Sequence, residues 1–95
     1  MATPHMPTKY TLFMLPAARR QLRQLQKTHN QEVKNIIDGI MSLAETPRPL
    51  GSRKLASRSE LRIRIGDYRV LYSIDDMRRT VTILVIAHRR EVYRQ

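Results

Sequence analysis

The stretch Leu61-Arg-Ile-Arg-Ile-Gly-Asp-Tyr-Arg-Val-Leu-Tyr72 decides how this chain folds. Apolar and basic residues alternate at period two, the alternation breaks at Gly66-Asp67, and it then resumes, which is the pattern of two β-strands joined by a two-residue turn. Glycine at the first central position predicts a type II′ turn, which needs positive φ there and whose twist suits the flanking strands. The register follows. Ile65 faces Tyr68, Ile63 faces Val70 and Leu61 faces Tyr72, so these six share one side of the sheet and form a core face. Arg62, Arg64 and Arg69 fall on the other side, with Arg64 directly opposite Arg69. Like charges opposed on a sheet destabilise it, so this surface is either a solvated basic face or one completed by an anion such as a phosphate.

The whole composition leans the same way. Among 95 residues, eighteen Lys and Arg stand against eight Asp and Glu, a formal net charge of +10. That balance is typical of proteins that meet nucleic acid or another polyanion. A chain of this length makes one domain able to fold without a metal or disulfide staple. With no Trp and one Phe it is a poor base-stacking platform for single strands. The absence of cysteine excludes disulfides, thiol nucleophiles and thiolate metal sites, and fits a cytoplasmic protein. No apolar run approaches a membrane span and no signal peptide is visible.

Outward from the hairpin, residues 1–8 read as a disordered or non-native lead-in, and 9–95 as the single domain. Lys9 to Leu15 predicts a first strand, with Tyr10, Leu12 and Met14 on one face and Thr11 and Phe13 on the other. Pro16 stops it and opens an amphipathic helix to about Lys27, with Ala18, Leu22 and Leu25 on one side and Arg19, Arg20 and Arg23 on the other. Asn30 is a candidate N-cap for a second helix whose apolar residues run from Val33 to Ala44, ended by Thr46-Pro47. Gly39 inside it costs helix stability, which points to close packing against a neighbour. The second helix lacks a polar recognition face, which argues against a helix-turn-helix reader. Ser52 to Ser57 reads as a short edge strand whose Arg53 and Lys54 deter unwanted pairing and can also touch a ligand. Thr80 to Ala87, nearly all β-branched or apolar, predicts a mid-sheet strand buried on both faces. The order β-α-α-β-β-β-β gives an α+β domain: a twisted, largely antiparallel β-sheet with a two-helix hairpin on one face.

No histidine has a carboxylate or thiolate partner at ligand spacing, so no metal is expected, and neither a phosphate loop nor a nucleophile motif occurs. What remains is a basic cluster. Arg62, Arg64 and Arg69 come from the hairpin, and His88, Arg89, Arg90 and Tyr93 from the end of the next strand, so that all can converge on one groove. Taken singly, each also has an ordinary structural role as a solvated charge, a strand cap or an edge ring.

The hairpin block, followed by Ile86-Ala-His-Arg-Arg-Glu-Val-Tyr-Arg94, resembles the RelE branch of the RelE/ParE toxin superfamily. The resemblance implies a type II toxin, paired with an antitoxin, that cleaves messenger RNA in the ribosomal A site by attack of a ribose 2′-OH on the adjacent phosphate, without metal or cofactor. It implies catalytic roles for Arg62, Arg64, Arg69, Arg89 and Tyr93, and self-association only through the antitoxin. The departure is at Arg62 and Arg64, where the archetypal member carries lysines, one of them implied as general base. An arginine does not deprotonate at usable pH. Tyr93 and His88 are the remaining proton acceptors. The alternatives are a ParE-like DNA gyrase inhibitor on the same fold and an inactive nucleic-acid-binding module.

Overall fold

The computed structural model describes residues 9–28, 31–54 and 60–88. The elements are β1 (Thr11–Met14), α1 (Pro16–Gln26), α2 (Gln31–Ser42), β2 (Arg53–Lys54), β3 (Leu61–Ile65), β4 (Tyr68–Asp75) and β5 (Thr80–His88). They build a five-stranded sheet in the order β1-β5-β4-β3-β2, antiparallel except where β1 runs parallel to β5. The order matches the β-α-α-β-β-β-β reading. The parallel pair arises because the two-helix crossover carries the chain from β1 over one face of the sheet before the meander begins.

The central hairpin has the register its alternation predicts: Leu61 opposite Tyr72, Ile63 opposite Val70, Arg64 opposite Arg69 and Ile65 opposite Tyr68. Gly66 has φ +59° while Asp67 stays at ordinary φ, the difference that separates type II′ from type I′. The turn rests on the start of α2, where the Asp67 amide donates to Glu32 Oε2 at 3.4 Å.

The core lies between the helices and the face carrying Ile63, Val70, Tyr72, Val81, Ile83 and Ile86, against which Ala18, Ile36, Ile40 and Leu43 pack. Each large side chain fully buried there contributes about 1.5–3 kcal/mol. Tyr10, Leu12 and Met14 join this face, as their alternation requires. The expected close packing at Gly39 is also present. A Cβ at that position would stand 2.5 Å from Ile65 Cδ1, so α2 sits as close to β3 as a glycine allows.

Two expectations need adjustment, and others fall outside the described residues. β5 is mid-sheet, but among the described residues the helices lie on one of its faces, and on the other Thr80, Thr82 and Val85 are half-buried while Ala87 alone is buried. Its unbroken apolar run has another cause. Leu71 pairs with Val85 and Tyr72 with Ile83, so Leu84 is an extra residue in a bulge that flips the alternation midway and keeps both Ile83 and Ile86 inward. β2 is Arg53–Lys54; Ser52 stands outside it, and 55–57 of the expected Ser52–Ser57 strand lie outside the described residues. Asn30 and the 1–8 lead-in also lie outside them.

The turn after α2 is held at several points. The Tyr10 amide donates to Ala44 O at 2.6 Å, and the buried Tyr72 hydroxyl donates to Pro47 O at 2.7 Å. Arg48 forms a fork on Asp76, Nη2 to Oδ2 at 2.9 Å, and the Tyr10 hydroxyl donates to Oδ1 at 2.6 Å. Among the described residues no helix is long and apolar enough to cross a membrane.

Candidate active site

Residues directly opposite on neighbouring strands share a face. Arg53 pairs with Arg62 and Arg64 with Arg69, so the face turned away from the helices carries four guanidinium groups in two like-charge pairs on three adjacent strands. Arg64 is exposed, Arg62 half-buried and Arg69 only 4% exposed. Two long hydrogen bonds steer them: Arg64 Nε to Gly66 O at 3.4 Å and Arg69 Nη1 to Tyr68 O at 3.5 Å. Contacts of that length are weak, so they leave the donors of Arg64 available for an external acceptor.

Because β2 pairs only with Leu61 and Arg62, β3 runs on past it toward the hairpin turn. A cleft of about 520 Å³ opens there, walled by the four arginines, by Gly39 and Ser42 of α2, and by the Pro49–Gly51 loop. Gly51 takes φ +91°, and Leu50 stands fully exposed at the loop tip. An oxyanion entering this cleft meets planar donor forks from more than one strand, the geometry suited to phosphate oxygens.

The strand register divides the expected cluster. His88 pairs with Tyr68, and the two rings meet edge to face with centroids 5.3 Å apart, so His88 lies on the helix side of the sheet and not with the arginines. The reason is the bulge at Leu84, which sets the parity of the strand's last residues. Lys54 pairs with Leu61, which also turns it to the helix side, where it borders a separate cleft of about 460 Å³ with Arg48, Ser52 and Ile74. A single groove holding all the expected residues therefore does not form. Arg62, Arg64, Arg69 and Arg53 come together; His88 and Lys54 do not join them; Arg89, Arg90 and Tyr93 lie outside the described residues. Sequence reasoning missed the Arg53–Arg62 pair, because two residues of strand carry no periodicity. It also missed the α2 wall, for which Gly39 was the available signal.

Several protonation equilibria are displaced away from this cleft. The Arg48 fork, helped by the Tyr10 hydroxyl, holds the Asp76 carboxyl below its usual range, and Asp76 in turn raises Tyr10. Burial pushes the Tyr72 phenol up, against the opposing influence of Ser52 and Arg48.

A model of the family described as "ParE toxin of type II toxin-antitoxin system, parDE" matches residues 12–93. The chain belongs to the RelE/ParE superfamily of type II toxin–antitoxin toxins. Among curated relatives of this superfamily, Toxin RelG of Mycobacterium tuberculosis is 36% identical over 89 residues, spanning 90% of this chain and 98% of that protein. Among solved structures, the RelBE2 toxin–antitoxin complex of the same organism superposes with a TM-score of 0.70 at 29% identity, covering 84% of this chain and 98% of that one. The RelE–RelB complex of the archaeon Pyrococcus horikoshii superposes with a TM-score of 0.71 at 24% identity, covering 85% and 96%, and is a likeness of fold.

Proposed function

We propose that this toxin is an endoribonuclease that cuts messenger RNA in the ribosomal A site, with the arginine face as its active site. The observation that carries the reading is the register that opposes Arg64 to Arg69 and Arg53 to Arg62. Cations set directly opposite one another on a sheet disfavour each other, and a phosphodiester lying against the exposed Arg64 and its cleft neighbours Arg62 and Arg53 offsets that cost.

In the proposed reaction the 2′ oxygen attacks the adjacent phosphorus and gives up its proton, while the bond from phosphorus to the 5′ oxygen breaks. The products are a 2′,3′-cyclic phosphate and a 5′-hydroxyl that has gained a proton. Arg64 and Arg69 hold the non-bridging oxygens and Arg62 stabilises the charge that grows in the pentavalent transition state. Donors preorganised in this way are worth about 3–4 kcal/mol each. Arg89 is assigned to the leaving 5′ oxygen. Tyr93 is preferred to His88 as proton acceptor, because His88 shares its face with Tyr68. The RelBE2 toxin–antitoxin complex, the solved relative at 29% identity, supports a cognate antitoxin, whose acidic or amphipathic segment would cover the positive face.

The test is to induce the protein in a bacterium and map transcript ends. Cuts inside translated codons are expected, reduced by about 10²–10³-fold in Arg64→Ala, the exposed member of the pair. Undiminished cutting by both the Arg62→Ala and the Arg64→Ala variant would remove the basis of the proposal. Because the matching family model is named for ParE, DNA-damage signalling with intact transcripts would assign the toxin to gyrase inhibition instead.

A further inference from the structure

A second concentration of charge lies on the helix side of the sheet, where α1 packs against β5. Arg19, Arg20 and Arg23 are exposed on α1 and, with Met14 and Pro16, line a cleft of about 520 Å³. Spacings of three and four residues put Arg23 beside both others, so the stripe repels itself. The helix contains no carboxylate to offset this, and its first turn has no acidic residue. The first acidic residue of the whole chain is Glu32, after Lys9, the three arginines and Lys27. Among the described residues none of the three guanidinium groups meets a hydrogen-bond acceptor or a carboxylate. The arginine face on β2, β3 and β4 points away from the helices, so the two basic surfaces cannot serve one short ligand.

From this cluster we propose that α1 is an RNA-binding surface of its own, on which Arg19, Arg20 and Arg23 grip the phosphate backbone of helical RNA. Three forks with no intervening acid, gathered within about 6 Å along the helix axis by the 1.5 Å rise, suit neighbouring phosphates of one backbone. They do not suit a folded acidic protein, which would present its own cations. The arginines outnumber the two exposed amides beside them, Gln24 and Gln26, so binding is chiefly to the backbone and strongly salt-dependent.

The inference stands apart from the nuclease reading, and its test uses a 2′-O-methyl RNA duplex, which lacks the attacking hydroxyl and cannot be cut. Binding of the full chain is measured as salt rises, for the parent and for the Arg19→Gln/Arg20→Gln/Arg23→Gln variant. If all three arginines contact phosphate, the parent loses about 40-fold more affinity than the variant between about 50 and 200 mM salt. The variant's thermal midpoint should match or exceed the parent's, since repulsion has been removed. Should the triple variant fail to fold, Arg19→Gln and Arg23→Gln alone should each lower the log–log salt slope by about 0.9. An unchanged slope overturns the proposal, as does tighter binding of polyglutamate than of duplex at equal charge, which would assign α1 to a protein partner.

Discussion

Replacing Arg64 by threonine is expected to make the protein more stable and less toxic at once. Arg64 and Arg69 occupy the second pair from a two-residue turn, a non-hydrogen-bonded position where Cα atoms approach to about 4.5 Å and side chains lie closest. Two guanidinium charges about 6 Å apart repel by about 0.7 kcal/mol even at the dielectric of water. Threonine suits a half-buried strand and adds a few tenths. The hydrogen bond that Arg64 donates to Gly66 O is 3.4 Å long and too weak to cancel the gain. The net is about 1 kcal/mol, or about 4–8 °C in the thermal midpoint of a domain this size. Thermal unfolding followed by circular dichroism, at low salt and again at about 1 M salt where the Debye length is about 3 Å, checks it, because the difference between the proteins should shrink with screening. Added inorganic phosphate should stabilise the parent more than the variant. A variant less stable than the parent at low salt, or a gap indifferent to salt, would refute the idea that these charges are held together at a cost.

Gly39→Ala is expected to destabilise by about 1 kcal/mol, because overpacking against Ile65 of about 1–3 kcal/mol outweighs a helix-propensity gain of about 1 kcal/mol. In an Ile65→Val background, which removes the Cδ1 atom in the way, the same change should be neutral or stabilising, and denaturant unfolding of the four proteins of the cycle reads the coupling. Tyr72→Phe should cost about 1 kcal/mol through loss of the bond to Pro47 O. Burial raises the Tyr72 phenol above its ordinary 10.0 in the fold, so its stabilisation is whole below that value and is lost as pH rises through the folded pKa. The variant's stability should therefore fall less steeply above pH 10 in equilibrium unfolding at a series of pH values.

The hairpin was legible because period-two alternation admits one register wherever one face is buried, and a one-residue slip of β4 against β3 would have turned the buried Val70 and Tyr72 outward while Ile63 stayed in. That same register put Arg62, Arg64 and Arg69 on one surface from the residue pattern alone. The fate of His88 was not legible. It depends on the bulge at Leu84, and a bulge inside a run of Ile, Leu and Val leaves no trace when neighbours on either side are equally apolar. The Arg53–Arg62 pair was hidden for the opposite reason, since a two-residue strand is defined by its partner alone. The α2 wall of the cleft announced itself only through Gly39, a residue that looked like a local defect and proved to mark a close approach.

The parallel seat of β1 against β5 sets the order in which this protein can become whole during synthesis. β5 lies between β1 and β4 and brings Val81, Ile83 and Ile86 to the core, yet it is translated after every other described element. Until it leaves the exit tunnel, β1 has no strand to lie beside, the two helices have half a floor, and only the hairpin can close on its own. Contacts this distant in sequence form late. A nascent copy whose β5 is still inside the tunnel thus lacks the strand that joins β1 to the meander and that completes the core under the helices.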